Sequence, residues 1–253
     1  MFTPSHPWVR RALARAAVVG AASLSGAAPA HADEDPIPPG RLDLQVSVEL
    51  SQGHYGEVDL TQTRQTSVSA RYRKGPWTAQ LQVPWLDTRT AGERANGLGD
   101  VWAIVSWEAR ELTREQAGVD LTLKLKAPTG DVNRGLGSGG TDVALQVEGT
   151  RLLGPVLVFG HVGHRQTGDV PGFAPYLNPW YGELGVQMNL GDACTMGVYQ
   201  DSRTPVGRRG SLSEFTAFGA CSQGAQRWQL YLTRGFQPAS PQWAAGLSLR
   251  SRF

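Results

Sequence analysis

The chain has 253 residues, with 24 Lys and Arg against 22 Asp and Glu, a formal net charge of +2, 31 glycines and 16 prolines. Its basic residues are scattered rather than clustered, so there is no electrostatic footprint for nucleic acid and no such partner is expected. Mean hydropathy is −0.28, and no run in the mature chain approaches the ~20 apolar residues of a spanning helix, which excludes a helical membrane protein but not a β-barrel, where only alternate residues face lipid.

The N-terminal segment reads as a signal peptide. Arg10, Arg11 and Arg15 form a basic region, Ala16–Ser25 is a short alanine-rich apolar stretch, and Ala30-His31-Ala32 is an A-x-A cleavage site. Cleavage is expected after Ala32, which leaves residues 33–253 as one exported domain. The paired arginines resemble a twin-arginine signal, but that route carries folded proteins and a barrel must reach its membrane unfolded.

Alternation of apolar and polar residues predicts strands at Leu42–Leu50, Thr66–Tyr72, Trp77–Trp85, Val101–Ala109, Val119–Ala127, Val143–Gly149, Val156–His164, Trp180–Leu190, Cys194–Asp201, Ser213–Cys221, Gln226–Arg234 and Trp243–Phe253. The expected fold is all-β, an antiparallel transmembrane barrel of about twelve strands with both termini periplasmic. Val156–His164 and Ser213–Cys221 alternate poorly, and discounting them gives ten. Connections alternate in length as such a barrel requires. Tight breaks fall at Arg73–Pro76, Arg151–Pro155, Gly191–Ala193 and Ser222–Ala225, and longer loops at Leu86–Gly97, Pro128–Thr141, Arg165–Pro179 and Ser202–Leu212. The connection Arg110–Gly118 is long for the short-turn side.

The two faces of these strands differ. With the apolar parity outward, the inner face carries Asp43, Glu49, Arg71, Gln80, Gln82, Asp120, Lys124, Lys126, Gln146, Glu148, Glu183, Arg250 and Arg252. A wet lumen of both charge signs suggests a narrow passage in which opposing charges orient a solute, with no ion selectivity legible. The alternative is a barrel plugged by its own salt bridges. Trp77, Trp85, Trp180, Trp243 and Phe253 fit the aromatic girdles where a barrel meets the two membrane interfaces. Trp77 and Trp85 bracket one strand, about 20 Å apart in height at ~3.3 Å per residue and a tilt of ~40°.

Cys194 and Cys221 fall opposite each other if the hairpin between them is centred on Gly207-Arg208, so in an oxidising compartment a disulfide is expected. Gly135-Leu-Gly-Ser-Gly-Gly140 matches a dinucleotide fingerprint, but a strand rather than a helix follows it, and a mobile glycine-rich loop is the better reading. His161 and His164 lie on opposite faces of one strand, so they form no metal pair. His164 with Asp169, and His54 and Asp87 at other loop bases, belong to no catalytic motif. No catalysis, cofactor or metal is expected; a rim hydrolase and a non-conducting structural or adhesive barrel are the alternatives to a channel.

Leu81-Gln-Val-Pro-Trp85, Gly97-Leu-Gly-Asp100, Lys126-Ala-Pro-Thr-Gly-Asp131 and the following Gly/Ser loop resemble an outer-membrane family associated with the MetA pathway of phenol degradation, whose members are described as transporters. After Gly97-Leu-Gly-Asp100 the chain departs from that pattern, reading Val-Trp-Ala-Ile-Val-Ser-Trp-Glu. The resemblance implies passive passage of small solutes, including aromatic or other hydrophobic compounds. The last strand ends on Phe253 and resembles the C-terminal strand read by the bacterial barrel-assembly machinery, with Ser251 departing from the expected apolar residue. The partners implied are outer-membrane lipid, that machinery and a small-molecule solute, and the expected location is the bacterial outer membrane.

Overall fold

In the computed structural model, residues 40–109, 117–170, 175–207 and 210–253 are described. The predicted cleavage site and most of the 110–118 connection lie outside these residues. The described chain forms β1 (Arg41–Gly53), β2 (Thr61–Lys74), β3 (Trp77–Thr90), β4 (Glu93–Leu98), β5 (Val101–Glu108), β6 (Ala117–Ala127), β7 (Asp142–Leu153), β8 (Val156–Gln166), β9 (Trp180–Leu190), β10 (Cys194–Arg203), β11 (Leu212–Gln223), β12 (Gln226–Gly235) and β13 (Trp243–Arg252).

All neighbours are antiparallel, and β1 pairs with both β2 and β13, so the sheet closes on itself. β3 pairs with β4 at its upper end and with β5 at its lower end, so β4 and β5 act as one bulged strand and the barrel has twelve. Pro84 supplies the reason for the bulge. It has no N–H to give its neighbour, the chain opposite slips by one residue, and Gly99 N–H donates to the Pro84 carbonyl at 2.9 Å.

Tight turns join β2–β3, β7–β8, β9–β10 and β11–β12 at one rim, which also carries the first residues of β1 and the C-terminus; longer connections lie at the other. One expected loop is corrected. Leu86–Gly97 is a hairpin, because alternation continues inward through Leu86 and Thr88 and the chain reverses at Ala91-Gly92, both at positive φ (50° and 83°). The glycine-rich segment 135–140 is corrected too. It packs against the barrel, with Leu136 only 2 % exposed and clustered with Leu86 and Ala95 on the inner face of that hairpin.

The two weakly alternating segments are strands of the barrel, and their irregularity has a physical cause. Phe159 on β8 and Phe218 on β11 point inward and join Tyr199 and Tyr231 in an aromatic cluster. Glycines opposite make room, since a Cβ on Gly185 would strike Phe159 and Tyr199, and one on Gly197 would strike Phe218. Polar-in, apolar-out parity therefore fails locally where aromatic rings lie over glycine.

Candidate functional site in the barrel lumen

The inner wall carries a continuous acidic stripe. Successive register partners across seven strands are Glu108, Asp120, Glu148, His161, Glu183, Asp201 and Glu214. The pairing direction runs perpendicular to tilted strands, so this row winds up the wall instead of forming a level ring. His161 Nδ1 lies 3.9 Å from Glu183 Oε1. Above the stripe, Lys124 Nζ sits 5.4 Å from the centre of the Tyr181 ring, a cation–π contact.

The opposite wall, on β12, β13, β1 and β2 near the short-turn rim, is basic. Arg227 is the register partner of Arg250, and Arg41 that of Arg73. Arg71 donates to Gln80 Oε1 from Nε at 2.9 Å and Nη2 at 2.7 Å, while Arg250 donates to Gln45 Oε1 at 3.2 and 3.1 Å. Arg227 reaches over β11 to Thr195 Oγ1 at 2.8 Å. Between the two walls lies a cleft bordered by Arg71, Arg73, Gln80, Thr122, Asp120 and Glu148. The cleft, about 50 Å³ in volume, has guanidinium on one side and carboxylate on the other.

At the loop rim the charged side chains are buried and close on one another. Lys126 Nζ lies 2.7 Å from Asp142 Oδ2 and 3.6 Å from Asp100 Oδ2, and it donates to Ser138 Oγ. Asp100 accepts from Gly130 N at 3.0 Å and from Ser138 N at 2.8 Å. Asp142 accepts from Gly168 N at 3.1 Å, with Arg165 Nε 3.7 Å away. Three loop-rim segments, those bearing Asp100, Gly130–Ser138 and Gly168, are thus tied to one buried charge cluster. The short motifs of the sequence, Gly97–Asp100, Lys126–Asp131 and the Gly/Ser loop, meet here.

The thirteen inner-face candidates all have the expected parity. Asp43, Glu49, Arg71, Gln80, Gln82, Asp120, Lys124, Glu148, Glu183, Arg250 and Arg252 share the face of the two charged walls. Gln146 donates to Glu148 Oε1 at 2.8 Å. Lys126 needs a correction as a lumen-lining residue, because at 3 % exposure the loop seals it from water. Cys194 and Cys221 are register partners and are bonded, with Cα atoms 4.1 Å apart. Trp77, Trp85, Trp180, Trp243 and Phe253 are exposed on the outer face. Trp107 and Trp228, which the sequence reading left out, add to the short-turn end, the Trp107 ring centre lying 6.4 Å from that of Trp77.

His164 faces outward against Trp180, with ring centres 4.8 Å apart, whereas His161 faces inward against Tyr181. His54 bonds the Val58 carbonyl oxygen at 2.9 Å, and Asp87 pairs with Arg94 at 2.6 Å. Among the described residues, no group of three or more His, Cys, Asp or Glu side chains is disposed to hold a metal ion. Sequence reasoning missed Asp201, Glu214, Arg73 and Arg227 because they stand at strand ends. The hairpin register that pairs the cysteines also pairs Asp201 with Glu214 and could have found them.

No family model and no curated protein matches the sequence. Solved structures do match the fold. An outer-membrane channel of the COG4313 group from Pseudomonas putida F1 is similar at a TM-score of 0.73 and 14 % identity, over 89 % of this chain and 100 % of that one. The translocator domain of the autotransporter NalP from Neisseria meningitidis is similar at 0.56 and 9 %, over 85 % and 88 %. The NanC porin is similar at 0.55 and 10 %, over 83 % and 98 %. The chain therefore has the fold of bacterial outer-membrane β-barrels, closed by twelve antiparallel strands.

Proposed function

We propose that this protein is an outer-membrane channel through which small solutes pass passively, with no catalysis of its own. The observation that carries this reading is the charged inner wall, where Arg71 and Arg73 on β2 face Asp120 on β6 and Glu148 on β7 across a cleft, with further arginines on β1, β12 and β13 of the same inner face. A wall built for packing alone would be apolar or closed by ion pairs, as the Lys126 cluster is at the other rim. The fold shared with a channel and a porin supports the same reading. The resemblance to the phenol-degradation family adds aromatic compounds as a solute class, and the inner aromatic cluster of Phe159, Tyr199, Phe218 and Tyr231 supports it.

In this reading residues 1–32 are removed on export, the short-turn rim and both termini face the periplasm, and the assembly machinery reads the strand ending at Phe253. Swelling of vesicles containing the refolded mature protein tests the proposal. Small sugars and phenol-sized solutes should enter faster than into protein-free vesicles, and equal rates would overturn it.

A further inference from the structure

We propose that the arginine arc at the short-turn mouth is a binding site for small oxyanions, the carboxylate or phosphate group of a passing solute. The inference deepens the channel reading and rests on it for the solute's route, though not for the binding itself.

Register supplies the first observation. Arg227 stands directly opposite Arg250, and Arg41 directly opposite Arg73, on the same inner face. Like charges in directly opposed positions destabilise a sheet, and two such pairs on four consecutive strands form an arrangement that a bound anion relieves. The second observation is chemical. Arg71 and Arg250 are held by the amide oxygens of Gln80 and Gln45, and Arg227 by Thr195 and Ser222 hydroxyls. These neutral acceptors fix the guanidinium planes without cancelling their charge. Within the arc, among the described residues, one carboxylate stands, Asp43, which pairs with Arg41 at 3.1 Å and is the register partner of Arg71 and Arg252, so the arginines of the arc share a single acidic side chain.

A guanidinium offers five N–H donors, and a single amide oxygen engages only part of them. The planar fork matches the two oxygens of a carboxylate or phosphate. Arg71 and Arg73 also border the small cleft, whose far side carries Asp120 and Glu148. An entering anion is therefore drawn to one wall and pushed from the other, which fixes its orientation with any neutral or cationic end toward the carboxylates.

Binding is measured on the refolded mature protein in detergent at low ionic strength, about 10 mM, where screening is weak. The probes are inorganic phosphate, benzoate and neutral benzyl alcohol, followed by isothermal titration. Both anions should bind and benzyl alcohol should not. Binding should weaken at least about tenfold in R71Q/R250Q, because charge-assisted hydrogen bonds are lost. R71K/R250K, which keeps the charge without the fork, should fall between. A heat-shifted gel band verifies that each variant is folded. Tighter binding of benzoate assigns organic carboxylates, and tighter binding of phosphate assigns phosphorylated solutes. Absence of anion binding in wild type, or equal binding by R71Q/R250Q, overturns the arc. Single-channel recording on the same preparation separates the two readings. A barrel that binds anions but never conducts overturns the channel and leaves the arc standing, and one that conducts but binds no anion does the reverse.

Discussion

Replacing Lys126 with methionine probes the charge cluster that ties the loop rim together. Lys126, Asp142 and Asp100 have side-chain exposures of 4, 1 and 6 %, so none of them shares its charge with bulk water. Methionine fills a similar volume but leaves two buried carboxylates. Asp100 keeps the backbone donors Gly130 and Ser138, while Asp142 loses its partner at 2.7 Å and keeps Gly168 N–H and the more distant Arg165. Removing one member of a buried pair costs about 3–5 kcal/mol, most of it the penalty of the charge left behind. Replacing both partners removes that penalty, so K126M/D142L should recover about 1–4 kcal/mol of the loss. K124M is the control. Lys124 lies over the Tyr181 ring, so its replacement should cost only about 0.5–2 kcal/mol. Equilibrium urea unfolding in micelles, followed by tryptophan fluorescence and extrapolated linearly, reads wild type, K126M, D142L, K126M/D142L and K124M. Two results would refute the reasoning: K126M within about 1 kcal/mol of wild type, or a double variant that loses the sum of its single losses.

Reducing the Cys194–Cys221 bond, which closes 27 residues of sequence separation, should cost about 3–4 kcal/mol by the chain-entropy relation, seen as a lower urea midpoint with dithiothreitol. Gly246→Val should cost about 1–3 kcal/mol, because a Cβ there strikes the Tyr231 ring that crosses β13 to donate to Glu49. On that background Tyr231→Phe should cause no further loss, which a double-mutant cycle checks. Leu230→Arg, on the outer face, should cost about 2–4 kcal/mol in lipid vesicles, whereas Ser47→Arg, on the inner face, should cost under about 1 kcal/mol. A larger loss for Ser47→Arg than for Leu230→Arg would mean that the two faces have been assigned the wrong way round, and equal losses would mean that the faces do not differ in lipid contact.

Much of the fold is legible in the sequence because a half-buried strand writes its faces into alternate positions. Trp77, Leu81, Val83 and Trp85 against Thr78, Gln80 and Gln82 gave the inside and outside of β3, and the cysteine register gave the pairing of β10 with β11. Three things were hidden, each for a physical reason. The β3–β4 hairpin reads as a loop in the sequence because it is rich in charge and turns on Ala91-Gly92 instead of a strong hairpin dipeptide. The inward aromatics Phe159 and Phe218 break the parity rule, since their space comes from glycines on neighbouring strands that are distant in sequence. The seal over Lys126 depends on Asp100, Ser138 and Asp142 converging from separate segments, which no local pattern shows. The acidic stripe and the arginine arc were likewise present in the parity as charges of mixed sign. Their separation onto opposite walls emerges only when the strands are placed in register.

The most direct test of an open, water-lined lumen is single-channel conductance of the refolded mature protein in planar bilayers, with cysteines placed one residue apart on β2. Ser69 faces the lumen between Gln45 and Gln82, and Val68 faces outward at 52 % exposure. Discrete current steps in wild type, reduced by a bulky water-soluble thiol reagent in S69C and unchanged in V68C, are the predicted result. A folded, heat-modifiable barrel that never conducts, or a current reduced equally in both variants, would contradict the account.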